Sequence, residues 1–454
     1  MLMPTSGSAH ASEPTSWRRL PVAATSLLGL LVAEFGLVLL AAGKASLLAP
    51  PKRVPLTAWR AGPLHGLLAA LPYDRTALKL AFLGLIVAMG ACYLIALRSI
   101  STLRPRLVIG AIVVGHLVVL LGPPLILTDV YNYINYAHIG VLHHLNPYLY
   151  PPHVARHDSI YRYTNWHFQA TPYGPLFTLA TYPLARLNDS LSLWILKVTT
   201  VAASLGCAGL VAMCARRLGR PPLLCAAAIG LNPLLLVYGV GGVHNDFFMM
   251  VLVLAGLYWV LGRRAGLGAA ALIASAAVKL ASAPMVPFLL IRAQRRLYAL
   301  VGALLAAVAL VAVTITAFGT SVPGLTDQAN TVTRFSLPDD VASILGVSVT
   351  TRCAGHFYAC VNGSISLLAA ASLVVVLAFL LWRTWRGADP VACAGWAAVA
   401  LLLALTSVMP WYLLWVLPFA VLSRSRPLQI TAGVLGILLL VASQPTAHLL
   451  VYGA

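Results

Sequence analysis

Apolar runs about as long as a bilayer is thick dominate this chain. They lie near 21–42, 76–97, 105–127, 190–214, 221–240, 246–262, 266–280, 297–318, 363–383, 390–409 and 427–450, with shorter ones at 283–292 and 411–423. A spanning helix needs ~20 such residues. In hydrocarbon the backbone must satisfy its own hydrogen bonds, so segments of this kind fold as helices. The expected class is therefore all-α, a polytopic transmembrane helix bundle of about 11–13 spans. Composition agrees. Of the residues, 60% are hydrophobic and 9% charged, and mean hydropathy is +0.89. A soluble domain could not cover its surface with so few charges.

The formal net charge of +19 does not point to nucleic acid. The basic residues come in twos and threes between apolar runs, which is what the positive-inside rule produces. Placing Arg18 and Arg19 in the cytoplasm and threading onward puts most arginine loops inside: 98–106, 216–220, 263–264, 292–296, 383–386 and 424–426. The reading counts both short runs as crossings and treats 173–187 as a half-helix on the outer side. It gives an N-terminal cytoplasmic tail, 1–20, and one membrane domain, 21–454, in the plasma membrane. The first outer loop is an exception, because it carries Lys44, Lys52, Arg53, Arg60 and Arg75. The two longest polar segments, 128–172 and 319–362, fall outside, with Asp129, Asp158, Asp246, Asp327, Asp339 and Asp340. Chemistry or recognition is thus expected on the outer face.

No GxSxG, HExxH or Walker sequence is present, and the seven cysteines form no CxxC pair. Cys353 and Cys360 share the second outer loop, where a disulfide is expected to close a small ring. His143, His144, His153, His157 and His167 follow no standard metal spacing, and interfacial histidines are the reading adopted. A divalent metal is compatible with the chemistry, but no residue pattern demands one.

Several constellations can carry chemistry. In TDVYNYINYAHIG, 128–140, Asp129 sits where an apolar run meets water, followed by Tyr131, Tyr133 and Tyr136. An aromatic belt explains the tyrosines but not the acid, and an ionisable group at that depth is a functional candidate. In GGVHNDFF, two glycines precede His244, Asn245, Asp246 and an apolar helix. Asn or Asp there can cap the helix; exposed NH groups there can also bind a phosphate or sugar. Lys279, at the outer end of a run, can snorkel to the interface or face a lipid phosphate. Trp411 and Tyr412 suit an aromatic belt or a sugar-stacking platform. Arg334, in the loop 319–362, is a further candidate phosphate partner. Glu34, inside the first span, has no assigned role.

Together these motifs resemble bacterial GT-C glycosyltransferases. Asp-Val-Tyr at 129–131 comes after an early span, then Asn-Pro-Tyr at 146–148, Tyr-Gly-Pro at 173–175 and Gly-Gly-x-His-Asn-Asp at 241–246. Val-Lys-Leu at 278–280 and Pro-Trp-Tyr at 410–412 follow in order. The nearest likeness, over about 105–423, is to polyprenol-phosphate-mannose-dependent α-mannosyltransferases, including the α-1,6-mannopyranosyltransferases of actinobacterial lipoglycan and cell-wall synthesis. The resemblance implies a GT-C-like fold, a polyprenyl-phosphate sugar donor, a glycan or glycolipid acceptor, and transfer on the extracytoplasmic face. It implies Asp129 as general base, and Tyr131, Tyr173, His244, Asn245, Asp246, Lys279, Arg334, Trp411 and Tyr412 as donor- or substrate-binding residues. In this chain the acid follows the third span, where many relatives place it after the first. The competing class is a transporter or flippase for a lipid-linked sugar. Transporters gather polar groups at mid-bilayer, commonly in repeated halves; here they sit at the boundary, and no duplication is visible.

Overall fold

The computed structural model describes residues 16–43, 46, 48–50, 54–67, 74–320, 336–347 and 362–443. Among the described residues there is no strand. In chain order the helices are α1 Ser16–Ala42, α2 Ala58–Ala61, α3 Arg75–Arg98, α4 Pro105–Leu121, α5 Asp129–Val141 and α6 Pro175–Thr181. There follow α7 Asp189–Arg217, α8 Pro222–Gly230, α9 Asp246–Leu261, α10 Ala265–Val278, α11 Val286–Ile291 and α12 Arg296–Phe318. The last are α13 Leu337–Ile344, α14 Gly363–Trp385, α15 Pro390–Ala404, α16 Leu413–Leu422 and α17 Arg426–Ala442. Five of the described helices (α1, α3, α7, α12, α14) are long and apolar enough to cross a membrane, and seven shorter apolar ones accompany them. The chain is an all-α membrane bundle, as its apolar runs require.

Two elements differ from expectation. The run 221–240 is not one span. Helix α8 stops at Gly230, Asn232 and Pro233 break it, and Leu235–Val240 forms a π-helical turn. The Asn232 side-chain oxygen accepts from the backbone NH groups of Leu234, 3.0 Å, and Leu235, 3.3 Å. Proline removes a helix donor and clashes with the preceding turn, so the run breaks although every neighbour is apolar. Conversely, 129–141, expected as outer loop, is a helix. The half-helix expected at 173–187 is α6 followed by a tighter turn, Tyr182–Arg186.

The centre of the bundle is α9, packed on α7 and α10 and touching α11 and α16. Its residues Val253, Leu254 and Leu257 are completely buried. Helices α12 and α14 lie at the edge, with only 6% and 11% of their apolar windows buried. Opposite ends of α9 differ chemically. One end opens at Asp246; at the other, Arg217 donates to the Tyr258 carbonyl and covers its ring at 3.6 Å. Arg220 donates to the Val421 carbonyl, 3.3 Å, at the far end of α16. Sixteen residues at ~1.5 Å each separate the two ends by roughly 24 Å. Asp246 and the Arg217–Arg220 loop therefore lie at opposite ends of the bundle.

Arg60, expected among the outer-loop cations that the charge rule disfavours, is fully buried. Its Nε donates to Tyr131 Oη at 3.0 Å and its other nitrogens to the Pro50 and Pro55 carbonyls. It is a structural clamp and carries no free surface charge.

Candidate active site

Helix α5 begins at Asp129, where a carboxylate complements the positive end of the helix dipole. The helical period places Asn132, Tyr133 and Tyr136 on the Asp129 face, and Tyr131, Asn135 and His138 on the other. The segment's tyrosines and asparagines look like loop composition. Spaced this way, they form a helix with two polar-aromatic faces, and Val130 through Ile139 are all buried.

Against the first face lies the turn that opens α9. His244 Nδ1 is 3.1 Å from Asp129 Oδ2, and Trp166 Nε1 donates to Asp129 Oδ1 at 3.4 Å. The His244 ring stacks on Trp411, centroids 3.5 Å apart and planes 8° from parallel. The backbone NH of Asn245 donates to Tyr133 Oη, 3.1 Å. A side chain at Gly242 would collide with the His244 ring and the Tyr238 carbonyl, so the turn needs glycine. Two β-branched residues sit at positive φ beside these groups: Ile126 at 73° and Val243 at 56°. Their segments are joined by Leu125 NH donating to the Gly241 carbonyl, 2.7 Å. Such conformations cost about 1–3 kcal/mol each and cluster at functional sites. Nothing in the apolar pattern announces them.

A second charged pair abuts the first. Lys279 Nζ bonds both Asp246 oxygens at 2.9 Å, and Trp415 Nε1 donates to Asp246 Oδ1 at 2.7 Å. Tyr412 stacks on Trp415 at 4.0 Å, and the Lys279 ammonium lies 4.9 Å from the Tyr412 ring centroid. Side chains from α5, α9, the end of α10 and the start of α16 thus converge, although up to 286 residues of chain part Asp129 from Trp415.

The structure sorts the expected residues. Asp129, His244, Asn245, Asp246, Lys279, Trp411 and Tyr412 come together. Tyr173 joins them indirectly, edge-on to Tyr133 at 4.8 Å. Tyr131 lies on the other α5 face, bonded to Arg60 and packed on Tyr163 at 5.5 Å. Asp246 pairs with Lys279, and the capping position of α9 belongs to Asn245, whose side chain makes no cap bond. Arg334, Cys353 and Cys360 lie outside the described residues. Trp166, Asn132 and Trp415 enter the site unannounced, and Tyr133 reads in the sequence as part of an aromatic belt; aromatic residues near a membrane surface are too common to single out, and Asn132 is hidden by the loop-like composition around it. Glu34 is buried, and neither carboxylate oxygen has a protein partner.

What remains unsatisfied is informative. His244 Nε2, both side-chain polar atoms of Asn245, Asn132 Oδ1 and Trp411 Nε1 are buried without a protein hydrogen bond. Leaving such a group unpaired costs about 1–3 kcal/mol, so several together describe a cradle for a polar ligand. Asp129 retains 14% exposure of its side chain. Burial pushes its carboxyl up, but contact with His244, the Lys279 charge and the Trp166 NH outweigh that and hold it below the ordinary carboxylate value. The lowered value favours the ionised form of this carboxyl. Among the described residues, no group of three His, Cys, Asp or Glu side chains could hold a metal ion.

Residues 30–295 match the family described as alpha-(1->6)-mannopyranosyltransferase, N-terminal domain, and 341–454 match the MptB C-terminal domain. The chain is 27% identical to alpha-(1->6)-mannopyranosyltransferase A of Mycobacterium tuberculosis over 66% of its own length and 62% of that protein's. It is 30% identical to a Mycolicibacterium smegmatis protein named "Probable alpha-(1->6)-mannopyranosyltransferase", over 31% of this chain and 26% of that one. The chain thus spans less than two thirds of either relative. No solved structure matches it.

Proposed function

The chain belongs to the alpha-(1->6)-mannopyranosyltransferase family, and from that premise we propose that it transfers mannose from a polyprenyl-phosphate donor to a glycan or glycolipid hydroxyl on the extracytoplasmic face. The observation that carries this reading is the Asp129–His244 pair, largely buried and accompanied by buried polar atoms that lack partners.

In the reaction, the acceptor oxygen attacks the anomeric carbon while the bond to the lipid phosphate breaks. The acceptor proton passes to Asp129, and the phosphate leaves with the electron pair. Asp129 supplies the base. His244 holds one carboxylate oxygen and Trp166 the other, which leaves the carboxylate oriented toward the open side. The Asn245 amide, at the positive end of α9, and His244 Nε2 are placed to bond the departing phosphate. Lys279, neutralised by its pair with Asp246, holds the Tyr412–Trp415 platform in place. A lipid donor needs no nucleotide-binding fold, and none is evident in the described residues. The Asp246 end of α9 lies away from the short Arg217–Arg220 loop, which supports an outward-facing site under the positive-inside rule.

Purified protein given polyprenyl-phosphate-mannose and an α-mannoside acceptor is expected to release polyprenyl phosphate and extend the acceptor. Asp129→Asn should lower turnover by about 10²–10⁴ while donor binding persists. Near-normal transfer by that variant would remove Asp129 as base and make Asp246 the next candidate.

A further inference from the structure

Against the face of α5 that carries Tyr131 and His138, opposite Asp129, lies a cavity of about 600 Å³, within the ~300–1,000 Å³ typical of small-molecule sites. It is formed by residues 156–163 of the outer loop, Trp59, and the first residues of α7. Its lining has no aliphatic side chain, so it is not shaped for a lipid tail. Arg156 and Arg162 are balanced by Asp158 and Asp189, so it is not built for an anion either. What the lining offers is aromatic faces and planar polar groups of both kinds, donors and acceptors. That is the chemistry of a neutral polyol: ring faces take the CH surface of a pyranose, and carboxylate, amide and guanidinium take neighbouring hydroxyls.

The walls are held in place. Trp59 meets Tyr163 edge-on, centroids 5.5 Å apart, and Tyr163 is wedged against Tyr131 and Arg60. Asp158 is 5% exposed. It accepts from His138 at 3.0 Å, from His143 at 3.3 Å and from the Ile160 NH at 3.0 Å. Burial pushes its carboxyl up, and these donors more than reverse the effect, leaving it below the ordinary value. The same loop then runs three residues on to Trp166, which bonds Asp129. The cavity and the proton acceptor therefore share one rigid strap of chain.

Resting on the function proposed above, we infer that this cavity is a subsite for the saccharide chain of the acceptor, holding sugar units remote from the reacting hydroxyl. A chain seated there reaches Asp129 by rounding the start of α5 along the strap, which makes the enzyme select an oligosaccharide over a single sugar.

The test is binding without donor: full-length protein in detergent is titrated with an α-linked mannotetraose and, in parallel, with methyl α-mannoside. Wild type and Asp129→Asn should bind the tetrasaccharide equally. Trp59→Ala should weaken it about fivefold or more, as expected for losing one aromatic platform. Arg156→Gln, at an exposed position whose replacement leaves packing intact, should act in the same direction. Methyl α-mannoside affinity should not change in either variant. Failure of wild type to bind the tetrasaccharide, unaltered affinity in both variants, or equal losses for the two sugars would overturn the subsite. Absence of mannosyl transfer in wild type, with tetrasaccharide binding lost in both variants, overturns the transferase reading and leaves the subsite standing.

Discussion

Asp129 and His244 act as a unit. The carboxyl is kept low against its own burial, with His244 the largest opposing influence. A depressed carboxyl stays ionised as pH falls and loses its charge only below the ordinary carboxylate value. The acid limb of kcat/KM should therefore lie lower than for an ordinary aspartate. His244→Phe removes the main counterweight, so the limb should move to higher pH; a pH–rate profile in lipid nanodiscs reads this, and an unmoved limb contradicts the coupling. The second pair is structural. With Asp246 1% exposed, Lys279→Met strands a buried carboxylate. Breaking one side of a buried pair costs about 3–5 kcal/mol, so the thermal midpoint should drop, and adding Asp246→Asn should recover part of it. Equal midpoints in all three proteins would show that the pair carries no stability. His, Asn and Asp stood out in the sequence because they are rare in apolar runs. Their pairing did not, since a lysine facing lipid phosphate and one facing a carboxylate have the same local sequence.

Helix ends, more than helix middles, shape the site. Gly174 NH donates to the Val278 carbonyl at 3.0 Å, and a Cβ there would overlap the Ala277 carbonyl. The contact ties α6 to the end of α10, one residue from Lys279. Gly174→Ala should force them apart, loosening the Asp246 pair and reducing both activity and thermal stability; a variant as active and stable as wild type would show that the contact yields freely. Another end is closed by Lys197 on α7, whose ammonium donates to the Leu120 carbonyl at 2.6 Å and to that of Gly122. It satisfies the orphan carbonyls that close α4. Long apolar helices were legible because hydrocarbon permits little else. The break at Asn232–Pro233 was written in those two residues, but an apolar count over twenty positions hides it. Helix α5 was illegible as a helix because its faces are polar and aromatic, and packing against the Tyr182–Arg186 turn, α6 and α7 decides its conformation.

For the molecule as a whole, polarity across the bilayer is the decisive property. In a cysteine-depleted background, Ser159→Cys should react with a membrane-impermeant maleimide on intact cells. Arg216→Cys should react only after permeabilisation. Labelling of Ser159→Cys from the cytoplasm alone would place the whole site on the wrong side. Helices α12 and α14, at 23 residues each, reach ~35 Å, enough to cross a ~30 Å hydrocarbon core with their apolar faces toward lipid.

The amino-acid order alone dictates a helical membrane bundle, because unpaired backbone cannot sit in hydrocarbon. It also sets most of the short arginine-rich loops apart from the long polar segment that holds Asp129 and Asp158. Tertiary structure decides which of the exceptional polar residues meet. It joins Asp129 to His244, gives Lys279 to Asp246 and Arg60 to Tyr131, and leaves Asn245 and Asn132 with open polar atoms. The physical reason is range. Hydrophobic segregation acts on each stretch of chain separately, so it can be read locally. Hydrogen bonds and ion pairs require atoms within about 3 Å, and chains this long bring such atoms together only after the helices have packed.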